Sequence, residues 1–317
     1  MQYLSDQDVR ARLSMSVCIN LMRDLFIHIA TDNITHKLRT AMPIEPGKLL
    51  GIMPGYLPYQ SSVGAKIITV YHDNYKRGLP SHQGIVVIYD ADTGAVRGLV
   101  DGMSITAIRT AAVSAVATDV LARSDASTLA LLGAGVQASA HLEAISLVRD
   151  LTAAQVWGVE HDAAKQFVAR EAAKYRFPIR VCDSVDDVVV GADIVCTVTS
   201  SKTPILGNVA PGTHINAIGA CQPHDRELTS DLVAKARLYG DSVQSMVNES
   251  GDYLFPLNEG LIKESHLLGE IGDILAGKLS GRTTADEITL FKSLGLAVED
   301  IICASWLLEN SKNEGVM

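Results

Sequence analysis

Several residues in this chain have the type and spacing to do chemistry. Gly133-Ala134-Gly135-Val136-Gln137-Ala138 reads G-x-G-x-x-A, directly after the apolar run STLALL and before a helix-forming stretch. In that setting the first glycine permits a tight turn, and the second lets a pyrophosphate approach the backbone. The small third residue lets helix and strand pack closely. Phosphate charge then meets the helix N-terminus. The same letters also fit a plain glycine turn in another α/β fold, and the strand–turn–helix context is what separates the two. The next apolar run ends in Trp157-Gly158-Val159-Glu160-His161. A carboxylate there accepts both ribose hydroxyls and repels a 2′-phosphate, so Glu160 favours NADH over NADPH. The competing reading makes Glu160 a solvated loop carboxylate and gives a phosphate contact to His161.

Two cations stand in apolar company. Arg109 lies three, four and seven residues before Ala112, Val113 and Val116, which places it on their stripe of a helix. Lys66 shares one strand face with Ile68 and Val70. A buried cation needs an anionic partner. Either both bind a ligand carboxylate or phosphate, or both make structural ion bridges, for example Arg109 with Asp101 or Asp119. Pro80-Ser81-His82-Gln83 sets a polar cluster before a strong strand, and a lone His such as His82 is more often structural than catalytic. Cys221 follows the strand HINAIG, at the end where ligands bind in such sheets. It is either a neutral pocket wall or a reactive thiol. With no helix start or fixed cation beside it in the sequence, the wall reading is the better one.

These candidates need elements to position them. The 317 residues are 47% hydrophobic and carry 27 Lys+Arg against 36 Asp+Glu, a net charge of −9. At about 150 residues per domain, this length predicts two domains. An acidic chain without a basic run suits neither nucleic acid nor an anionic membrane. No very long uncharged apolar run reads as a membrane span, and MQYLSDQDVRARL puts charges where a signal peptide needs its apolar stretch. Five cysteines without paired spacing argue against a disulfide framework and a structural zinc site. The expectation is a cytoplasmic protein that handles a small molecule without a metal.

Ser5-Asp6-Gln7-Asp8 resembles a capping box, leading into a helix with Val17, Leu21 and Leu25 at four-residue spacing. From Gly64 the pattern turns to strands, GAKIITVY, GIVVIYD and AVRGLVD, the last two joined by the hairpin turn Ala91-Asp92-Thr93-Gly94. An Ala-rich helix follows over 105–123. Strands then alternate with helices for about 120 residues, as in βαβ units. FKSLGLAVEDIICASWLLEN reads as one long terminal helix. The fold class is α/β: a Rossmann-type doubly wound parallel sheet over 123–290, plus an α+β antiparallel-sheet domain from 1–122 and 291–317.

The segments AKIITVYHDN, GLPSHQG, DGMSITAIRTAAVSAVAT, LGAGVQA, GTHINAIGA, REL, LYGDS and FKSLGLAVED together resemble the ornithine cyclodeaminase/mu-crystallin family. They occur in family order across nearly the whole chain, and PSHQ and RTAAVSA are similar to its ketimine-reductase branch. The resemblance implies a homodimer whose sheet domain builds the interface and half of the active site. It implies that Arg39, Lys66 and Arg109 surround a substrate carboxylate and imine; Lys66 would then supply the proton or orient the water that does so, if burial and neighbouring cations lower its pKa toward neutrality. It further implies that Thr110, Val136, Gln137, Thr197, Val198, Thr199 and Ser293 contact the dinucleotide, with Ser81 and His82 near the nicotinamide. Arg109 and Ile218 belong with the same cofactor set, as do Gly133, Gly135, Glu160 and His161.

Two departures from the family pattern stand out. Cyclodeaminases and the related alanine dehydrogenases have an Asp in the turn after the HINA strand, where this chain has Cys221, and the mu-crystallin type has a small hydroxyl residue. The mu-crystallin type also has an NADP-reading Arg where this chain has Gly158-Val159-Glu160. The implied activity is reduction of an α-imino acid to an L-amino acid with NADH. Δ1-Pyrroline-2-carboxylate, Δ1-piperideine-2-carboxylate and iminosuccinate are the candidate substrates. Arg77 and His224 are candidates for a second carboxylate, and each is more often an ordinary surface residue. The alternatives are an NAD-dependent alanine dehydrogenase, an ornithine cyclodeaminase, and a non-catalytic crystallin-like binding protein.

Overall fold

The computed structural model describes residues 1–311, with the side chains of His72 and Tyr75 left aside. The chain forms two compact units, residues 1–109 with 295–311 and residues 110–294.

The first unit opens with β1 (Gln2–Leu4) and a formed capping box. The Ser5 hydroxyl accepts from the Asp8 N–H, and the Asp8 carboxylate accepts from the Ser5 N–H at 2.9 Å. The helix it starts, α1 (Asp6–Arg12), is short; Ser14 caps a second one, α2 (Met15–Thr31), at 86° to it. The single expected helix is therefore two. The buried side of α2 also differs from the Val17–Leu21 stripe: Cys18, Met22, Leu25 and Phe26 enter the core, while Val17 and Leu21 are half-buried.

Strands β2 (Thr35–His36), β3 (Thr40–Glu45), β4 (Lys48–Leu57), β5 (Ser62–Tyr71), β6 (His82–Asp90) and β7 (Val96–Asp101) complete a sheet in the order β1-β7-β6-β5-β4-β2, with β3 also on β4. All pairs are antiparallel except β1 with β7, which run parallel. One face of this sheet lies under α11 (Ala297–Asn310). Glycines allow the close approach: a Cβ at Gly55 would stand 2.8 Å from Val298, and one at Gly98 would press into Leu308. The cross-strand row Met53–Lys66–Val86–Val100 has the parity of this covered face and is buried.

In the second unit, β8 (Thr128–Leu132), α4 (Val136–Ser146), β9 (Ala153–Trp157), α5 (His161–Glu171), β10 (Ile179–Val181), α6 (Val185–Val188), β11 (Ile194–Thr197) and β12 (His214–Ala217) alternate as expected. After them come α7 (Ser230–Lys235), β13 (Arg237–Gly240), α8 (Val243–Glu249), α9 (Gly251–Asn258), β14 (Leu267–Glu270), α10 (Ile271–Leu275) and β15 (Thr289–Lys292). The sheet is wholly parallel, in the order β10-β9-β8-β11-β12-β15-β13-β14. Strand order reverses at β8, so the crevice at the carboxyl ends of β8 and β11 is the topological switch point where doubly wound sheets bind ligands.

Two boundaries differ from the sequence reading. Phe291 and Lys292 end strand β15 rather than starting a helix, and Gly295, at φ +79°, separates that strand from α11. The Ala-rich helix, α3 (Gly102–Leu121), is divided at 109/110 rather than after its end. Its later residues belong with the parallel sheet: Ser114 meets His141 at 2.9 Å, and Asn216 donates to Thr118 at 2.9 Å. By length and hydropathy α3 would pass as a membrane span, as would α1 and α2 taken as one bent span. However, 78% of the apolar window of α3 is buried within the fold.

Candidate active site

The first unit gathers the cations that the sequence left apart. Lys66, 2% exposed, donates to Asp300 Oδ1 at 3.0 Å and to Thr106 Oγ1 at 2.6 Å. Arg109, 5% exposed, donates to Glu299 Oε2 at 2.5 Å, and its Nε lies 3.5 Å from Asp300 Oδ1. Asp300 thus touches both cations. Arg39 donates to the Gly295 carbonyl at 3.4 Å, and the Arg109 guanidinium lies against the same glycine, where a Cβ would stand 2.6 Å from Nη1. Arg39, Lys66 and Arg109 therefore converge. The carboxylates that hold them are not the suggested Asp101 and Asp119. Asp101 accepts the Met103 and Ser104 N–H groups at the start of α3, and Asp119 pairs with Arg149 at 3.1 Å.

Burial drives the Lys66 pKa down, to about 8. Asp300 opposes the fall, and Arg109 and Arg39 add to it. An ammonium with that pKa can give up a proton near neutrality, and the guanidinium beside it stays charged.

In the second unit, Gly133 turns the chain from β8 to α4 at φ +122°, and a Cβ there would lie 2.8 Å from the Val198 carbonyl. Gly135, the N-cap of α4, has no atom within 4 Å of a Cβ position, and no side chain caps the helix. Ala138, the small third residue, is fully buried. Open backbone before uncapped N–H groups fits a pyrophosphate. The Gln137 Oε1 atom is buried there without a hydrogen bond among the described residues, and Val136 beside it is exposed.

One carboxylate organises the ends of β11 and β12. Glu227, fully buried, accepts from Thr197 Oγ1 at 2.7 Å, Thr199 N at 2.9 Å, Thr199 Oγ1 at 2.6 Å and Gly219 N at 2.7 Å. Four donors form the pattern of an ionised carboxylate. Burial nonetheless raises its pKa, against the pull of Lys292 and the threonines. Asp252 accepts the Glu227 and Leu228 N–H groups at 2.9 Å each and lies 3.0 Å from Lys292 Nζ, off the hydrogen-bonding line. Burial would depress the Lys292 pKa, but Asp252, Cys221 and Glu227 hold it raised. Lys292 is thus a buried cation in the neighbourhood of Cys221, which the sequence did not reveal. The Cys221 thiol is half-buried and donates to the Ile218 carbonyl at 3.5 Å.

The other candidates are placed as follows. Thr110, Thr197, Ile218 and Ser293 are buried, and Ser293 donates to Asp241 at 3.2 Å. Val198 donates its N–H to Leu132, extending the sheet. Glu160 is the exposed N-cap of α5, and His161 lies 3.7 Å from Asp183. Ser81 and His82 meet at 3.0 Å at the start of β6, with His82 exposed. Arg77 and His224 are exposed, His224 being 3.8 Å from Asp225.

Sequence reasoning assigned no role to Glu227, Lys292, Glu299 or Asp300. The available signal was a charge set in apolar company, Glu227 beside Leu228 and Glu299-Asp300 before IICASWLL. A cavity of about 140 Å³ at the ends of β9 and β11 is lined by Thr199, an expected dinucleotide contact, and by Trp157, Val159, Ser200, Ser201 and Ile205, to which the sequence assigned no role. A larger one, about 730 Å³, includes Arg123, Asp125, Arg282 and Asp286. These residues precede β8 and β15, at the sheet edge opposite the ligand-binding one. Their arginines are engaged: Arg123 with Asp193 at 2.6 Å, and Arg282 with the Leu121 carbonyl at 2.8 Å and the Glu287 carbonyl at 2.5 Å.

The sequence profile of the ornithine cyclodeaminase/mu-crystallin family matches residues 2–315. Ketimine reductase mu-crystallin of Mus musculus is 36% identical over 280 residues, covering 87% of this chain and 85% of that protein. The structure of Thermococcus litoralis Δ1-pyrroline-2-carboxylate reductase in complex with NADH and L-proline superposes with a TM-score of 0.97 at 36% identity, covering 100% of this chain and 99% of that one. An archaeal alanine dehydrogenase dimer with bound NAD superposes with a TM-score of 0.93 at 28% identity, covering 99% and 97%.

Proposed function

Because this chain belongs to the ornithine cyclodeaminase/mu-crystallin family, we propose that it reduces the C=N bond of a small α-imino acid to the L-amino acid, with NADH as the hydride donor. The observation that carries this reading is the convergence of Lys66, Arg109 and Arg39 about Asp300, Glu299 and Gly295. The two guanidinium groups bind the substrate carboxylate. Lys66 supplies the proton that turns the imine into the iminium, the better hydride acceptor. In the second unit the Gly133–Gly135 turn receives the pyrophosphate and Glu160 the ribose hydroxyls, which disfavours NADPH. The apolar-walled cavity beside Trp157 and Val159 seats the adenine. Cys221 replaces the Asp that cyclodeaminases and alanine dehydrogenases of this family carry in the turn after the HINA strand, and a thiol lacks the charge to act on a substrate amine as a carboxylate does, which supports imine reduction over amino-acid deamination.

The test is NADH oxidation with Δ1-pyrroline-2-carboxylate, Δ1-piperideine-2-carboxylate and iminosuccinate, beside NAD reduction with alanine and ornithine turnover. We expect the cyclic monocarboxylates to be reduced fastest, and more slowly with NADPH. NADH binding without oxidation by any imine would leave a non-catalytic binding protein as the better reading.

We also infer a homodimer. The sheet face opposite α11 carries the row Ile52–Ile67–Ile85, then Pro54–Ala65–Val87, then Tyr56–Val63–Tyr89. Ile52 is 40% exposed and Tyr56 36%. A contiguous apolar sheet face of this kind suits a second copy of the chain, and the similar alanine dehydrogenase is a dimer. Light scattering should give the mass of two chains, and Ile52→Glu should shift it to one. A monomeric wild-type protein would reject the pairing. The five cysteines form no disulfide, which suits the cytoplasm.

A further inference from the structure

We propose that Asp300 is a positioning residue for proton delivery, holding the Lys66 ammonium so that one N–H is left for the substrate nitrogen. The inference rests on the imine-reductase reading and adds to it a role for the α11 carboxylate. An ammonium has three N–H donors. One goes to Asp300 Oδ1 at 3.0 Å, and another to Thr106 Oγ1 at 2.6 Å. The Thr106 hydroxyl is itself directed to the Gly102 carbonyl at 2.5 Å, so it accepts from Lys66. Two anchors fix the direction of the third N–H.

The neighbouring carboxylate, Glu299, takes Arg109 instead. Adjacent residues on one helix thus divide the hydrogen bonds, Asp300 accepting from the proton donor and Glu299 from the carboxylate binder, while Arg109 Nε stays 3.5 Å from Asp300 as an ion contact. The charged groups that act on Lys66 are Asp300 from α11, Arg109 from α3, and Arg39 from the segment before β3. Its cross-strand neighbours, Met53 and Val86, are apolar. Asp300 is therefore the anion in direct contact that keeps the ammonium charged among two guanidinium groups. In the reduction, the C=N bond gains a hydride at carbon from NADH and a proton at nitrogen from Lys66, and solvent returns the proton to the amine.

Asp300→Asn is a mild change in shape. Oδ2 has no hydrogen-bond partner among the described residues, so the new amide meets no opposing donor. The rate of the wild-type enzyme with Δ1-pyrroline-2-carboxylate should fall above about pH 8, where Lys66 loses its proton. In D300N that limb should move to lower pH by about one unit or more, since removing an adjacent opposite charge favours the neutral amine. Asp300→Glu keeps the charge but displaces it, so its limb should stay in place while kcat falls. NADH affinity should be unchanged in both variants.

The Lys66 ε-carbon of ¹³C-lysine-labelled protein, identified by its loss in K66R, gives the same titration without turnover. A shifted titration with no imine reduced would reject the reductase reading and leave the Asp300–Lys66 coupling standing. An unshifted limb and titration in D300N, with kcat lowered equally at every pH, would overturn the proposal, as would a D300E variant with undiminished kcat.

Discussion

Lys66→Met should lower kcat for imine reduction by about 100- to 10,000-fold, the range a positioned proton donor contributes, while the Kd for NADH is unchanged. Methionine nearly matches lysine in length and is apolar, and the site lies in a buried row with Met53, Val86 and Val100. The substitution therefore removes the proton and keeps the packing. Asp300 is not left alone in the variant, because Arg109 Nε remains 3.5 Å from Oδ1 and Thr106 3.4 Å from it. The sign of the pH dependence is fixed by which form works. The ammonium is the donor, so wild-type activity is full below the Lys66 pKa and falls as pH rises through about 8. The residual K66M activity should lack that fall. Steady-state kinetics with a fluorescence titration of NADH check both statements, and a variant with wild-type kcat would remove Lys66 from the chemistry.

Glu227→Gln should act on the other side of the reaction. The carboxylate accepts four hydrogen bonds from the ends of β11 and β12. Glutamine keeps one acceptor oxygen and turns the other atom into a donor, facing either Thr199 or Gly219. Gly219 has no room to retreat, since a Cβ there would collide with the Thr199 carbonyl and with Glu227 itself. Hydrogen bonds to a charged group are each worth about 1.5–3 kcal/mol. We expect unfolding stability to drop by about 2–3 kcal/mol and NADH to bind about tenfold more weakly, an effect of about 1.4 kcal/mol. The KM for the imine should hold. Thermal denaturation and NADH titration measure the two effects, and unaltered NADH affinity would show that the carboxylate only stabilises the fold.

The parts legible in the sequence are those whose signal is local. The βαβ series from β8 to β12 could be read because short buried strands alternate with helices of ordinary length, and the glycine turn sits where strand meets helix. Strands β3 and β4 were not legible: Pro43, Pro46, Pro54, Gly51 and Gly55 break the alternation that marks a strand. Those glycines are not weak points in the fold, since Gly55 is what admits α11. Strand β15 was hidden because four residues followed by Ser-Leu-Gly carry too little pattern to stand apart from the helix beyond.

The same distinction holds for the site. Lys66 and Arg109 stood out as charges among apolar neighbours. Their partners did not, because Asp300 lies 234 residues from Lys66 and Glu299 lies 190 from Arg109. Glu227 was missed for a related reason: its partners are backbone groups and hydroxyls at two strand ends, which sequence spacing cannot bring together.

Those separations also set an order of events at the ribosome. When the sheet of the first unit has emerged, Lys66 and Arg109 are present but the anions that accept them are not, and the parallel sheet must be synthesised before α11 appears. Until then the two cations cannot be buried in their final pairing, and closing so long a loop carries an entropic cost that local pairings do not. The nascent first unit therefore stays open until α11 has been made. A chain cut short before Glu299 would be left with a parallel sheet able to form and with Lys66 and Arg109 lacking their counter-ions. For such a truncated product, quality control would act on exposed sheet surface rather than on a weakly active enzyme.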